Sequence, residues 1–180
     1  MPAWALIAIG AGSVLLLAGV VAIVILSLRA VERRALLRLI GRAEAIESAS
    51  AALIAVVERL AEGSDEEIEV FADDPESVER RALHEVNTRA RIVREEVDVM
   101  PVPGKLLHVA EALADAAYLV EQESGRVTDD RTGPEALEVI AEVDLARVKE
   151  YVNKARVLIG GACEVCGVDD TAVYGGGLYL

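Results

Sequence analysis

The chain has 180 residues, of which 53% are hydrophobic but only 3% aromatic. A core with so few rings has to be built from Leu, Ile, Val and Ala, which favours packed helices over a β-sandwich. The formal net charge of −13 lies entirely beyond residue 28, and because so acidic a domain repels phosphate backbones, nucleic-acid binding is not expected.

The N-terminal segment predicts a membrane anchor. Residues 3–28 contain no charged side chain, and about 20 apolar residues suffice to cross the hydrocarbon core of a bilayer. The run is too long for a cleaved signal peptide and lacks its basic start. We therefore expect residues 1–28 to form a single transmembrane helix in the cell membrane, with the lipid bilayer as its partner.

A basic cluster follows this segment and consists of Arg29, Arg33, Arg34, Arg38 and Arg42. Basic residues that flank a membrane span stay on the cytoplasmic side. The cluster therefore predicts an N-terminus outside the cell and a cytoplasmic domain over residues 29–161. Contact with anionic lipid headgroups is a further interpretation of the same arginines, although a topology signal alone accounts for them.

The first helix is predicted to continue past the arginines. Apolar residues from Leu36 to Leu60 recur in steps of three and four, which is a coiled-coil-like stripe for packing against other helices. Gly63 is a suitable residue to end this helix. Ser64 and Glu67 then have the spacing of a capping box, so a short helical turn is expected there.

Three more helices are predicted from apolar stripes and their boundary residues. The second covers residues 74–100, between an Asp-Pro start and the first of two closely spaced prolines. The third covers 103–124 and ends at a glycine, and the fourth runs from a Thr-Gly-Pro-Glu capping box at 132–135 to a Gly-Gly pair at 160–161. Short connections favour antiparallel neighbours. The predicted fold is therefore all-α: a transmembrane helix that continues into a cytoplasmic antiparallel four-helix bundle, with a flexible tail at 162–180.

The tail begins with a CxxC motif formed by Cys163 and Cys166, with Gly167 after it. Two thiolates at this spacing can hold one edge of a zinc ion, but a closed structural site needs four ligands. A homodimer would supply them if each chain contributed its pair. Alternatively, the two thiols form and break a disulfide in response to redox conditions, or they stay reduced and have no chemical role.

Two other groups of residues are candidate sites. His108, Glu111, Asp115 and Gln122 recur at helical spacing on the third helix, where a solvent-facing edge is the favoured interpretation over a metal site. The chain ends in Leu178, Tyr179 and Leu180 after three glycines. This terminus is either a peptide presented to a partner or an end that folds back onto the bundle.

The sequence contains no Gly-rich phosphate loop, nucleophile elbow or His-Glu-x-x-His motif, which are frequent signatures of enzymes. We therefore predict a non-enzymatic, membrane-anchored scaffold or interaction protein that acts through helix packing and its C-terminal tail on an unidentified protein partner. The alternative is a membrane-bound metal-binding or thiol-redox sensor that uses Cys163 and Cys166. A small accessory subunit of a larger membrane complex is a third interpretation.

Overall fold

In the computed structural model the described residues are 3–127 and 131–168, and for residues 3–18 the description covers the backbone alone. These ranges contain helices and connecting turns and no strand, so the all-α class is confirmed. The helices are α1 (Ala3–Glu62), α2 (Asp65–Asp73), α3 (Val78–Val99), α4 (Leu107–Ser124), α5 (Pro134–Ala141) and α6 (Leu145–Cys166), and a 3₁₀ turn (Gly104–Leu106) precedes α4.

The four long helices form a helical bundle. Each packs against two neighbours in the cyclic order α1, α3, α4, α6, and α1 also contacts α4 across the diagonal. Ion pairs show that α1 runs antiparallel to α3, because Arg42 pairs with Glu96 near one end of the bundle and Arg59 pairs with Glu79 near the other. The predicted stripe of α1 supplies a large part of the core, including Leu36, Leu39, Ala43, Ile46 and Leu53.

The predicted end of the first helix and the predicted start of the short helical segment after it are confirmed, but the start of α3 is shifted. α1 ends before Gly63, and α2 begins with the expected capping box of Ser64 and Glu67. α3 begins after Ser77 and not at Asp74. The Asp74 carboxylate accepts a hydrogen bond from the Glu76 N–H at 2.8 Å, and such a local side-chain bond stabilises a turn in competition with helix.

Gly125 ends α4 as predicted, for a reason that the sequence does not show. A Cβ atom at this position would lie 2.7 Å from the Asn87 side-chain nitrogen. That nitrogen donates a hydrogen bond to the Glu121 carbonyl at 2.7 Å and thereby joins α3 to α4. A side chain at position 125 would therefore crowd this tertiary contact, whereas the backbone, at φ −84°, does not itself require glycine.

The predicted fourth helix is in fact two helices, α5 and α6. The capping box expected at Thr132 does not form, and Gly133, at φ 57°, is the residue before α5. α5 ends at Ala141, and α6 begins after Asp144, whose carboxylate accepts a hydrogen bond from the Arg147 N–H at 2.9 Å.

α6 also continues beyond its predicted end. It passes through Gly160 and Gly161 to Cys166. Each glycine costs a helix interior about 1 kcal/mol relative to alanine. Ile159, Ala162 and Cys163 are buried on both sides of the pair, and their packing outweighs that cost. The CxxC motif therefore lies within the last turns of a packed helix.

The predicted membrane span is not supported. Within the part of the chain that the structure describes, no helix is long and apolar enough to cross a bilayer. This finding contradicts the predicted localisation as a single-pass cell-membrane protein with an outside N-terminus and a cytoplasmic domain.

Candidate functional site

α1 extends beyond the bundle on its N-terminal side. The first described residue of α1 that is buried is Ala35. Between Gly19 and Arg34, a stretch that we call the α1 extension, every side chain except the half-buried Glu32 is exposed. Its large apolar residues from Val20 to Leu28 are between 45% and 68% exposed. The extension is about 24 Å long, and it presents an apolar surface that nothing in the described chain covers.

The predicted basic cluster lies on the extension and the first turns of α1 within the bundle. Arg29, Arg33, Arg34 and Arg38 are exposed, whereas Arg42 pairs with Glu96 at 2.8 Å. Residues 29–42 carry five arginines and one glutamate, a net charge of +4 that leaves −17 for the rest of the chain. The molecule is therefore electrically polarised.

An ion pair fixes the base of the extension to the bundle. Glu32 accepts from the Lys105 ammonium at 2.9 Å, and Lys105 lies in the 3₁₀ turn before α4. Cys166, at the end of α6, is close enough for both charges to affect the pKa of its thiol. The base of the extension, the start of α4 and the end of α6 therefore meet at one end of the bundle.

The two cysteines differ in accessibility. Cys163 is fully buried and Cys166 is half-buried, and no disulfide joins them. Burial raises the pKa of Cys166, the Glu32 carboxylate raises it further, and the Lys105 ammonium partly offsets these effects. A raised pKa lowers the thiolate fraction, and the thiolate is the species that attacks disulfides and binds metals.

The surroundings of the motif are those of a helix end. Gly167 has a left-handed backbone conformation, with φ 63°. The N–H groups of Gly167 and Val168 donate hydrogen bonds to carbonyls of the last turn of α6. Many helices end in this arrangement. Among the described residues no three His, Cys, Asp or Glu side chains are grouped so as to hold a metal ion. A zinc site shared by two chains would first have to expose Cys163. The metal and redox hypotheses for this pair stay predictions.

The polar edge of α4 is exposed as expected: His108, Glu111, Asp115 and Gln122 all face outward. Beside it a groove of about 320 Å³ lies between the end of α3 and the start of α4. Its apolar lining includes Val97, Met100, Val102, Leu107, Ala110 and Ala114, and its acidic lining is Asp98, Glu111 and Asp115. The groove therefore combines an apolar floor with a negative rim.

Sequence patterns did not reveal Arg80, which is only 5% exposed. Its Nε donates to the Phe71 carbonyl at 2.8 Å, and its Nη2 donates to the carbonyls of Ala72 at 2.9 Å and Arg131 at 2.7 Å. The guanidinium also lies 5.3 Å from the centroid of the Phe71 ring. Arg80 therefore caps the C-terminus of α2, where a positive charge is favourable, and fixes the segment before α5.

Glu123 is a second buried charge, 2% exposed, that no sequence pattern indicated. It pairs with Arg126 at 2.6 Å and accepts from the Asp144 N–H at 3.3 Å. The hydrogen bond to Glu123 raises the pKa of Arg126. The carboxylate therefore joins the end of α4 to the break between α5 and α6, and both buried charges serve the fold.

The predicted partner-binding tail, Leu178, Tyr179 and Leu180, lies outside the described residues, so its role stays a prediction. The description ends at Val168, which is buried at the end of the bundle where α6 finishes. Comparison with known proteins found no matching family model, curated protein or solved structure.

Proposed function

We propose that this chain is a non-enzymatic interaction protein in which the helical bundle holds the α1 extension ready for association with a helix of a protein partner. The observation that carries the proposal is the exposure of seven large apolar side chains between Val20 and Leu28. A helix that is apolar on all sides is normally buried against other elements, and exposed apolar patches mark interaction sites.

The bundle supports this role by holding the extension in place. The extension is continuous with the buried part of α1, and the Glu32–Lys105 ion pair ties its base to the turn before α4. A helix that is already formed does not have to be ordered on binding, which lowers the entropic cost of association.

The described thiols favour this proposal over a thiol-based sensor or enzyme. The chain has two cysteines, of which one is fully buried and the other has a raised pKa. Reactive cysteines are typically exposed and have a lowered pKa. The metal or redox role would be favoured if the Cys163→Ser, Cys166→Ser variant lost a response to oxidant or zinc that the parent shows.

Site-specific photocrosslinking of the full chain in cells tests the proposal. A photoreactive residue replaces Ile23 on the extension, and in the matched control it replaces Val157, which is similarly exposed on α6. We expect one dominant protein adduct from position 23, identified by mass spectrometry, and none from position 157. Lipid adducts alone, or equal adducts from both positions, would contradict a protein-binding role of the extension.

A further inference from the structure

An exposed stripe on α1 mirrors an exposed stripe on α4. The α1 stripe, read towards the N-terminus, consists of one apolar, two basic and one apolar residue: Leu37, Arg33, Arg29 and Leu26. The α4 stripe, read towards the C-terminus, consists of one apolar, two acidic and one apolar residue: Leu107, Glu111, Asp115 and Tyr118. Successive members are four, four and three positions apart in both, so each set lies along one face of its helix. All eight side chains are exposed.

This matching order fits an antiparallel contact between two copies. With Arg33 opposite Glu111, the register places Arg29 opposite Asp115, because both pairs of charges are four residues, or about 6 Å, apart along their helices. Leu26 then lies against Tyr118. In a parallel contact the spacings of the two stripes run in opposite order, so the apolar and charged positions do not all coincide.

The charges of both stripes are available for such a contact. Within the described chain, neither Arg29 nor Arg33 has an ion-pair partner, and the same holds for Glu111 and Asp115. Nearby charges such as Arg42 are already paired within the bundle. The unpaired basic residues lie in the positive segment of the chain, and the unpaired acidic residues lie in its negative remainder.

The groove at the start of α4 offers room for apolar side chains. Leu107, Glu111 and Asp115 belong both to the α4 stripe and to the rim of this groove of about 320 Å³. In the register given above, Leu37 lies opposite Leu107 at the rim of this groove, and Leu26 lies opposite Tyr118 beyond it. Such a contact removes apolar surface from water on both helices, which is the main source of stability in protein association.

We propose that copies of this chain associate head to tail, with the α1 stripe of one copy packed antiparallel on the α4 stripe of the next. This inference rests on the proposed function, for which it names the partner as a second copy. In this head-to-tail arrangement, unlike a two-fold dimer in which both stripes of both copies pair reciprocally, each dimer retains one free stripe of each kind. Association therefore continues beyond the dimer as the concentration rises.

Sedimentation velocity of the full chain over a range of concentrations tests this. An α1 variant carries Arg29→Glu and Arg33→Glu, and an α4 variant carries Glu111→Arg and Asp115→Arg. Because like charges then face each other, we expect either variant alone to associate about 100-fold more weakly than the parent. In an equimolar mixture the two variants attract each other through both pairs of stripes, one with the parent charges and one with reversed charges, so we expect the mixture to associate as the parent does. A chain with all four changes regains the opposite charges and associates as the parent does.

A matched control carries Glu66→Arg and Glu69→Arg on the exposed side of α2. It changes the net charge as the α4 variant does, and we expect it to associate like the parent. The inference is overturned if the parent is monomeric throughout, if the mixture of variants does not dimerise, or if the parent associates only with added anionic lipid vesicles. A monomeric parent whose Ile23 adduct is a different protein would overturn the inference and leave the proposed function standing.

Discussion

The buried carboxylate of Glu123 gives the sharpest prediction about stability. Glu123→Ala removes the acceptor of the Asp144 N–H, which is 3.3 Å away, and the partner of Arg126 at 2.6 Å. The bond to the Asp144 N–H is only partly buried, so its loss costs towards the lower end of the about 1–3 kcal/mol of an unsatisfied buried donor, and the void adds about 1 kcal/mol. The Arg126 side chain is 30% exposed, so water partly replaces its lost partner. The cost of about 3–5 kcal/mol for breaking a fully buried ion pair is therefore an upper bound.

We therefore expect Glu123→Ala to lower the free energy of unfolding by about 2–3 kcal/mol. Glu123→Gln keeps the shape and one acceptor oxygen, so its cost is the difference between a charged and a neutral hydrogen bond, about 1 kcal/mol. Urea denaturation of the full chain, followed by circular dichroism at the helix band, measures both values. Gln122→Ala, at an exposed position of the same helix, is the control and should change stability by less than about 0.5 kcal/mol.

A double-mutant cycle with Arg126→Met separates the ion pair from the bond to Asp144. We expect a coupling energy of about 1 kcal/mol or more between positions 123 and 126, as is usual for residues that share a buried network. If both Glu123 variants had the stability of the parent, the carboxylate would not be what stabilises the break between α5 and α6. Equal losses for Ala and Gln would refute the role given to the acceptor oxygen.

Three further predictions concern other charged groups. Arg80→Met removes a donor from three backbone carbonyls, of which that of Ala72 keeps the Gly133 N–H. It should lower the free energy of unfolding by about 2–3 kcal/mol, with Arg80→Lys restoring less than half of the loss. The rate of Cys166 alkylation by iodoacetamide should rise with pH through a midpoint above that of an ordinary thiol, because burial and Glu32 raise the pKa of Cys166. Glu32→Gln should lower that midpoint. An unchanged midpoint would contradict the electrostatic contribution of Glu32. Glu47 pairs with Arg156 at 3.0 Å on the partly exposed seam between α1 and α6, so Glu47→Gln should cost about 0.5 kcal/mol, and 1 M NaCl should reduce this cost.

Helical periodicity was sufficient to predict the class and the core-facing stripe of α1. Apolar residues at steps of three and four give one face whatever the partner is, so the positions from Leu36 to Leu60 could be read directly. The same holds for the capping box of Ser64 and Glu67, in which both partners are local in sequence. Features of this kind depend on contacts within one turn of helix.

The features that sequence reasoning missed depend on contacts between distant segments. The break before Asp144 involves Glu123, twenty-one positions earlier, and Arg80 binds a carbonyl fifty-one positions later. Nothing local marks either side chain as buried. The continuation of α6 through two glycines has the same origin, because the packing of Ile159 and Cys163 and not helix propensity decides it.

The residues of the candidate site were predicted in part, but the function predicted for them was different. The basic cluster and the apolar run before it were visible in the sequence, and the apolar run predicted a membrane span that the described helices do not support. The matching stripe on α4 was visible only as a polar edge. Recognising it as a partner for α1 required the exposure of Leu107 and Tyr118, because an exposed apolar residue has the same spacing signal as a buried one.

The continuity of α1 links the fold to the proposed association. The helix that contributes Leu36 and Leu53 to the core also carries the exposed side chains of the extension. Once the buried turns of α1 are formed, each further residue adds a hydrogen bond at little entropic cost. The order of the stripe at Arg29 and Arg33 is therefore maintained by the stability of the core about two turns away. Variants that loosen the core near Leu36 should weaken association even though they lie outside the contact, whereas variants near the far end of α1 should not.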